Sequence, residues 1–117
     1  MAVAVMVLLF TALATHAAEY PSRAMRIIVP FTAGGSTDVL ARMIAKHLTE
    51  TWGQQVVVDN RAGANGVIAA ELTAKANPDG HTLLMIAIGH TTNPSLLKNL
   101  PYNTERDFQP ISLTAIF

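Results

Sequence analysis

Three short apolar runs along the chain predict the strands of a β-sheet. Arg26–Phe31 and Gln55–Asp59 are rich in β-branched residues, which favour extended backbone. Thr82–Ile88 is apolar throughout, as expected for a central parallel strand that is covered on both faces. Segments with a helical pattern separate these runs.

The segment Ser36–Thr51 predicts the first helix. Leu40, Ile44 and Leu48 recur at a spacing of four and share one face, with Met43 beside them. This face is expected to pack on the sheet. Val67–Ala76 predicts a second helix, and its inner face is expected to carry two large residues, Ile68 and Leu72.

The last third of the chain is predicted to be less regular. Gly89–Asn93 is interpreted as a polar loop, followed by a short helical piece near Ser95–Lys98 and an irregular stretch over Leu100–Pro110. Ile111–Phe117 is apolar and predicts the start of a further strand. Because such a strand needs a pairing partner, the 117 residues are expected to belong to a longer protein.

The order strand-helix-strand-helix-strand predicts an α/β domain with a parallel sheet and right-handed crossovers. A chain of 117 residues holds at most one such domain. Its formal net charge is zero and its basic residues are dispersed, which argues against nucleic-acid binding.

Met1–Ala18 contains no charged side chain, and its apolar core has the length of the hydrophobic region of a secretory signal peptide. Residues 1–17 are therefore predicted to be cleaved after Ala17, with cleavage after Ala18 as the alternative. A membrane anchor or a buried helix is the competing interpretation, and no Lys or Arg precedes the apolar run. The lack of cysteine excludes both a lipid anchor on cysteine and disulfide bonds.

Three loops follow the predicted strands: Thr32–Asp38, Asn60–Gly66 and Gly89–Asn93. Ligands of open parallel sheets bind beyond the carboxyl ends of the strands, so these loops are expected to share one rim.

The first loop combines backbone freedom with hydrogen-bond donors. Gly34 and Gly35 permit close approach of a ligand, Ser36 and Thr37 add hydroxyl groups, and the amides at the helix start favour an anion. A tight turn with an ordinary helix cap explains the same residues equally well. Asp38 either stabilises the helix start or contacts a ligand through water.

The other two loops offer fewer candidates. Arg61 could counter an anionic ligand, although a solvated charge or a partner for Asp59 is the favoured interpretation. His90 and Thr91 offer donors. No nucleophile, paired-carboxylate or metal-ligand motif accompanies them, so neither an enzyme, nor a metal site, nor a cofactor is expected.

Four sequence segments together resemble a known protein family. They are YPSRAMRIIVPFTAGGSTDVLAR, VVVDNRAGANG, ANPDGHTLL and LPYNTERDFQPISL, and together they extend from Tyr20 to Leu113. In this order and spacing they closely resemble the substrate-binding proteins of tripartite tricarboxylate transporters, also called the Bug or TctC family.

The resemblance implies a periplasmic-binding-protein-like fold of Venus-flytrap type, in which a small carboxylate is held between two lobes. Residues 18–110 would then form the first lobe and residues 111–117 the start of a crossover to a second lobe, which the chain does not contain. A monomeric periplasmic receptor, working with membrane permease subunits, is implied.

The family's binding loops map onto ten positions here. Gly35, Ser36 and Thr37 would donate to the carboxylate and Asp38 would contact it through water. The remaining wall would comprise Phe31, Gly34, Ala64, Asn65, His90 and Thr91. Asn65 departs from the family, where this position is often glycine.

Two other functions stay open on the sequence. A ligand-presenting partner of a membrane sensor would show the same binding motifs as a transport receptor. A phosphate-binding α/β enzyme is the third possibility, and it lacks a catalytic base or nucleophile.

Overall fold

Three parallel strands form the centre of the structure, a computed structural model that describes residues 19–115. The strands are β1 (Met25–Val29), β2 (Val56–Asn60) and β3 (Thr82–Leu84), in the order β2-β1-β3. The helices are α1 (Ser36–Trp52), α2 (Val67–Ala74) and α3 (Ile88–Leu96), and a 3₁₀ turn over Ala64–Gly66 precedes α2. The predicted signal peptide lies outside the described residues.

The parallel sheet predicted from the order of elements is confirmed. Ile27 of β1 is in register with Val58 of β2 on one side and with Leu83 of β3 on the other. The central strand is therefore β1, and the prediction that the third strand occupies the centre is wrong. β3 is also shorter than predicted. After Met85, whose N–H donates to the Ile28 carbonyl at 2.9 Å, the chain leaves the ladder.

Alternation along β1 allows helices to flank the sheet. Met25, Ile27 and Val29 point to one face, where they join a core cluster with Ala41 and Ala45 of α1. Small alanine side chains let the helix backbone approach the strands closely. Ile44 and Leu48 pack against the edge of this cluster as predicted, whereas Met43 is 65% exposed.

The inner face of α2 differs from the prediction. Ala69 and Ala70 are buried, while Ile68 and Leu72 are each more than 40% exposed. α2 contacts β1 and β3, and Ile28, which points away from the α1 face, is buried. The prediction weighted residue size, but close approach of helix to sheet selects small residues on the contacting face.

The segment predicted as the loop Gly89–Asn93 is helical, because α3 begins at Ile88 and continues to Leu96. Its threonine hydroxyls bond to helix carbonyls: Thr91 Oγ1 donates to the Ile88 carbonyl at 2.8 Å. The prediction of a separate short helix near Ser95–Lys98 is also wrong, since α3 ends at Leu96. Gly, Thr, Asn and Pro have low helix propensity, so the pattern alone did not indicate this helix.

The stretch from Leu100 to Pro110 contains no helix or strand, as predicted. Residues 111–115 are not in a strand either, in contrast to the prediction for Ile111–Phe117; the last two residues lie outside the described part. Among residues 19–115, no helix is long and apolar enough to cross a membrane.

Candidate functional site

The three loops that follow the strands meet at one edge of the sheet. A shallow, open cleft there is lined by Pro30, Phe31, Asn65, Gly66, Leu84, Ile86, Ala87, Gly89 and His90. The predicted second and third loops contribute to this lining, and Phe31, which directly precedes the first loop, lies beside them. Of the ten predicted binding residues, Phe31, Asn65 and His90 line the cleft. Gly34–Asp38, Ala64 and Thr91 do not line it, although they belong to the same rim.

The first loop reaches the start of α1 through two glycines with different backbone geometry. Gly34 has a φ of +89°, a conformation that L-residues with a Cβ rarely adopt. Gly35 is the N-cap of α1 with φ −76° and ψ 168°, which any residue can adopt. Because glycine has no side chain, the N-cap leaves the first-turn amides of α1 without a side-chain acceptor.

The buried carboxylate of Asp38 holds this loop in place. Asp38 is 2% exposed, and its Oδ2 accepts the Gly34 N–H at 2.8 Å and the Arg42 Nε–H at 3.0 Å. Its Oδ1 accepts from Asn60 Nδ2 at 2.9 Å. Both carboxylate oxygens are therefore hydrogen-bonded inside the protein, an arrangement that stabilises the start of α1.

Asn60, at the end of β2, connects the first loop to its neighbour. Its Nδ2 also donates to the Phe31 carbonyl at 3.1 Å, and its Oδ1 accepts from Arg42 Nη2 at 3.2 Å. We call Asp38, Arg42 and Asn60 the loop brace. Neither Asn60 nor Arg42 was predicted as a site residue, because the strand-end position of Asn60 was the only sequence signal for them.

The brace keeps its carboxylate charged. The Arg42 guanidinium, the Gly34 N–H and the Asn60 amide together lower the pKa of Asp38 to about 2. Since Arg42 pairs with Asp38, the negative charge beside the start of α1 is compensated and does not repel a second anion. The loop is therefore held in a form that can still receive a carboxylate.

The second loop contains two residues in the left-handed region, Ala64 with φ 47° and Asn65 with φ 51°. The Asn65 side chain donates through Nδ2 to Asn93 Oδ1 at 2.9 Å, so part of its hydrogen-bonding capacity is used inside the rim. Arg61 Nε donates to Asp59 Oδ1 at 2.9 Å. The favoured interpretation of Arg61 as a partner for Asp59 is confirmed.

The start of α3, which was predicted as the third loop, contributes an uncharged aromatic wall. The His90 ring stacks on Tyr102 with centroids 5.8 Å apart and meets the Phe108 ring edge-on at 4.8 Å. Burial lowers the pKa of His90, which favours the uncharged imidazole. The Thr91 hydroxyl donates its hydrogen to the Ile88 carbonyl at 2.8 Å, which leaves its oxygen as an acceptor.

The chemistry available at this edge is hydrogen bonding. Residues 19–115 contain no cluster of His, Asp or Glu able to hold a metal ion. Both oxygens of the brace carboxylate accept hydrogen bonds from the protein, and His90 packs against the rings of Tyr102 and Phe108. Backbone amides at a helix start, beside a cleft with apolar walls, suit the reversible binding of an anion.

The two glycines of the first loop are expected to respond differently to alanine. Gly34→Ala should lower the free energy of unfolding by about 1–2 kcal/mol, because its φ is positive. Gly35→Ala should change it by less than about 0.5 kcal/mol, since its Cβ would meet only the Thr32 carbonyl at an ordinary 3.7 Å. Urea denaturation measures both; equal losses would contradict the assigned loop geometry.

The loop brace predicts a specific pH dependence of stability. The pKa of Asp38 falls from 3.8 to about 2 on folding, so its stabilising effect is complete above about pH 4 and is lost towards pH 2. The difference in Tm between the wild type and Asp38→Asn should therefore shrink over this range.

Asp79→Asn is the matched control, because the pKa of Asp79 is also lowered to about 2, by the His81 N–H and Arg23. Only Asp38→Asn should shift the Gly34 amide resonance in NMR spectra. A Gly34 resonance that moves equally in both variants would show that Asp38 does not hold the loop.

Comparison with known proteins matches this chain to a receptor family. Residues 40–116 match the model of the tripartite tricarboxylate transporter family receptor, TctC. Protein BugT of Bordetella pertussis is 47% identical over 100 residues, which are 80% of this chain and 29% of BugT. The chain thus spans about 30% of the length of the curated relatives it matches.

Solved structures agree with this match. The periplasmic binding protein BugD superimposes with a TM-score of 0.74 at 44% identity, over 79% of this chain and 31% of BugD. MatC from Rhodopseudomonas palustris, solved with bound malate, gives a TM-score of 0.71 at 37% identity, over 81% of this chain and 33% of MatC. These matches confirm the periplasmic-binding-protein-like α/β fold. They also agree with the expectation that the chain is not an enzyme, because the family model describes a receptor. From the family match, the identity of its relatives and the shared fold, the chain belongs to the TctC (Bug) family of solute-binding proteins.

Proposed function

We propose that this chain captures the carboxylate of a small organic acid at the start of α1. The observation that carries the proposal is the glycine N-cap of α1, held by the loop brace at the cleft edge. In this arrangement the first-turn amides have neither an intrahelical acceptor nor an N-cap side chain. A carboxylate is the ligand that satisfies them and also benefits from the helix dipole.

The proposed contacts follow from the rim geometry. The Gly35, Ser36 and Thr37 amides donate to one carboxylate, with the Ser36 hydroxyl exposed beside them. Asp38 contributes mainly by holding Gly34, and a water-bridged contact to the ligand is part of the proposal. The remaining wall is formed by Phe31, Ala64, Asn65, His90 and Thr91.

The wider role rests on relatives rather than on this chain alone. The family model describes a transporter receptor, BugD is a periplasmic binding protein, and MatC holds malate. We accordingly propose a monomeric periplasmic receptor that passes its ligand to membrane permease subunits. Residues 1–17 would direct export, residues 18–110 would form the first lobe, and residues 111–117 would lead towards a second lobe.

Titration of the ¹⁵N-labelled chain with malate, followed by NMR, tests the binding site directly. Because the proposed contacts come from one side of the ligand only, millimolar affinity is expected, and NMR detects binding in this range. Malate should shift the amide resonances of Gly35, Ser36 and Thr37. Malamide, which has the same carbon skeleton without charge, should leave them in place. Equal shifts with both compounds, or shifts confined to other residues, would contradict carboxylate capture.

Ser36→Pro removes one proposed donor while preserving the helix. Ser36 is the first residue of α1, where proline is favoured, and Gly35 already has the extended backbone that a following proline requires. This variant should keep its Tm and bind malate about 10-fold more weakly, in line with the loss of a charge-assisted hydrogen bond.

Ser36→Ala, which removes only the hydroxyl, is the control for Ser36→Pro. It should weaken malate binding less than the proline variant does. If Ser36→Pro binds as well as Ser36→Ala, the Ser36 amide does not contact the ligand.

A further inference from the structure

A reciprocal pair of amide hydrogen bonds joins the second loop to α3. Asn65 Nδ2 donates to Asn93 Oδ1 at 2.9 Å, and Asn93 Nδ2 donates back to the Asn65 carbonyl at 3.0 Å. Asn93 lies in α3, 28 residues further along the chain, and is only 1% exposed. We call this pair the amide clasp. It satisfies a buried side chain that would otherwise destabilise the fold.

The clasp also holds a strained backbone. Asn65 has φ 51° and ψ 38°, in the left-handed region, and follows another positive-φ residue, Ala64. Asparagine tolerates this region better than other residues with a Cβ, but the conformation persists only where surrounding contacts enforce it. The bond from Asn93 to the Asn65 carbonyl is such a contact, because it fixes the direction of that carbonyl.

Gly89 brings the two loops into direct contact. A Cβ at this position would lie 2.7 Å from the Asn65 carbonyl oxygen and 2.8 Å from Asn65 Oδ1, both too close for a carbon atom. Gly89 is buried and is followed by His90, and both residues line the cleft together with Asn65. The distance between the second loop and the start of α3 is therefore set at the clasp.

We propose that Asn65 and Asn93 are positioning residues that set the width of the cleft between the second loop and the start of α3. The inference rests on the proposed carboxylate-binding function. It concerns how the wall residues Asn65 and His90 are held in place, not which atoms contact the ligand. Asn93 acts from inside the fold: its side chain holds Asn65, Asn65 packs on Gly89, and Gly89 places His90 on the wall.

Two variants weaken the clasp to different degrees. Asn93→Leu keeps a similar size and removes both hydrogen bonds. Asn65→Gly removes only the side-chain bond and leaves the backbone carbonyl as an acceptor in a conformation that glycine adopts freely. Tyr20→Phe is the matched control, because it removes one hydrogen bond, from Tyr20 Oη to the Gly80 carbonyl at 2.6 Å, next to the start of β3.

The test compares malate affinity and the ligand-free NMR spectrum of these variants under conditions in which each is folded. Asn65→Gly should weaken malate binding about 3- to 10-fold, as expected for the loss of one hydrogen bond, and Asn93→Leu should weaken it more. The double variant should bind no worse than Asn93→Leu, because the two residues act as one unit. Tyr20→Phe should bind as the wild type does.

The ligand-free spectra separate failure of this inference from failure of the proposed function. The His90 and Thr91 amide resonances should move in Asn65→Gly and Asn93→Leu and stay in place in Tyr20→Phe. If the wild type binds malate and both clasp variants bind equally well, the positioning role is overturned while the proposed function stands. If malate leaves Gly35–Thr37 of the wild type unshifted, the proposed function is overturned and the positioning of a binding wall falls with it.

Discussion

The loop brace is the interaction on which the rest of the candidate site depends. Glycines let the chain turn from β1 into α1, but the same freedom would leave the turn without a defined shape. Asp38 supplies that shape by accepting the Gly34 N–H from within the first turn of the helix. Asn60 then links the same carboxylate to the end of β2, so the loop is held relative to the sheet as well as to its own helix.

Different groups hold the loop in place and bind the proposed ligand. Side chains of the brace use their polar atoms on one another and on the loop backbone. The amides at the start of α1 have no N-cap side chain and are the donors that we propose for the ligand. A site built from backbone donors carries little information about the rest of the ligand, so related receptors can share this loop and differ in the walls around it.

Much of the architecture could be predicted because it depends on periodic patterns. The alternation of apolar runs with helical segments was sufficient for the parallel sheet, and the strand ends located the rim. The buried faces were harder: Ala69 and Ala70 face inward because close packing, rather than hydrophobicity, selects them. Asn60 and Asn93 were missed for a different reason. Each bonds to residues more than twenty positions away, and no local pattern indicates such a partner.

The amide clasp has one further consequence, which follows from its chemistry. Carboxamides do not titrate and carry no net charge, so neither acidity nor ionic strength alters the contact between Asn65 and Asn93. A neutral link of this kind would keep the second loop and the start of α3 at the same separation over a wide range of pH and salt concentration.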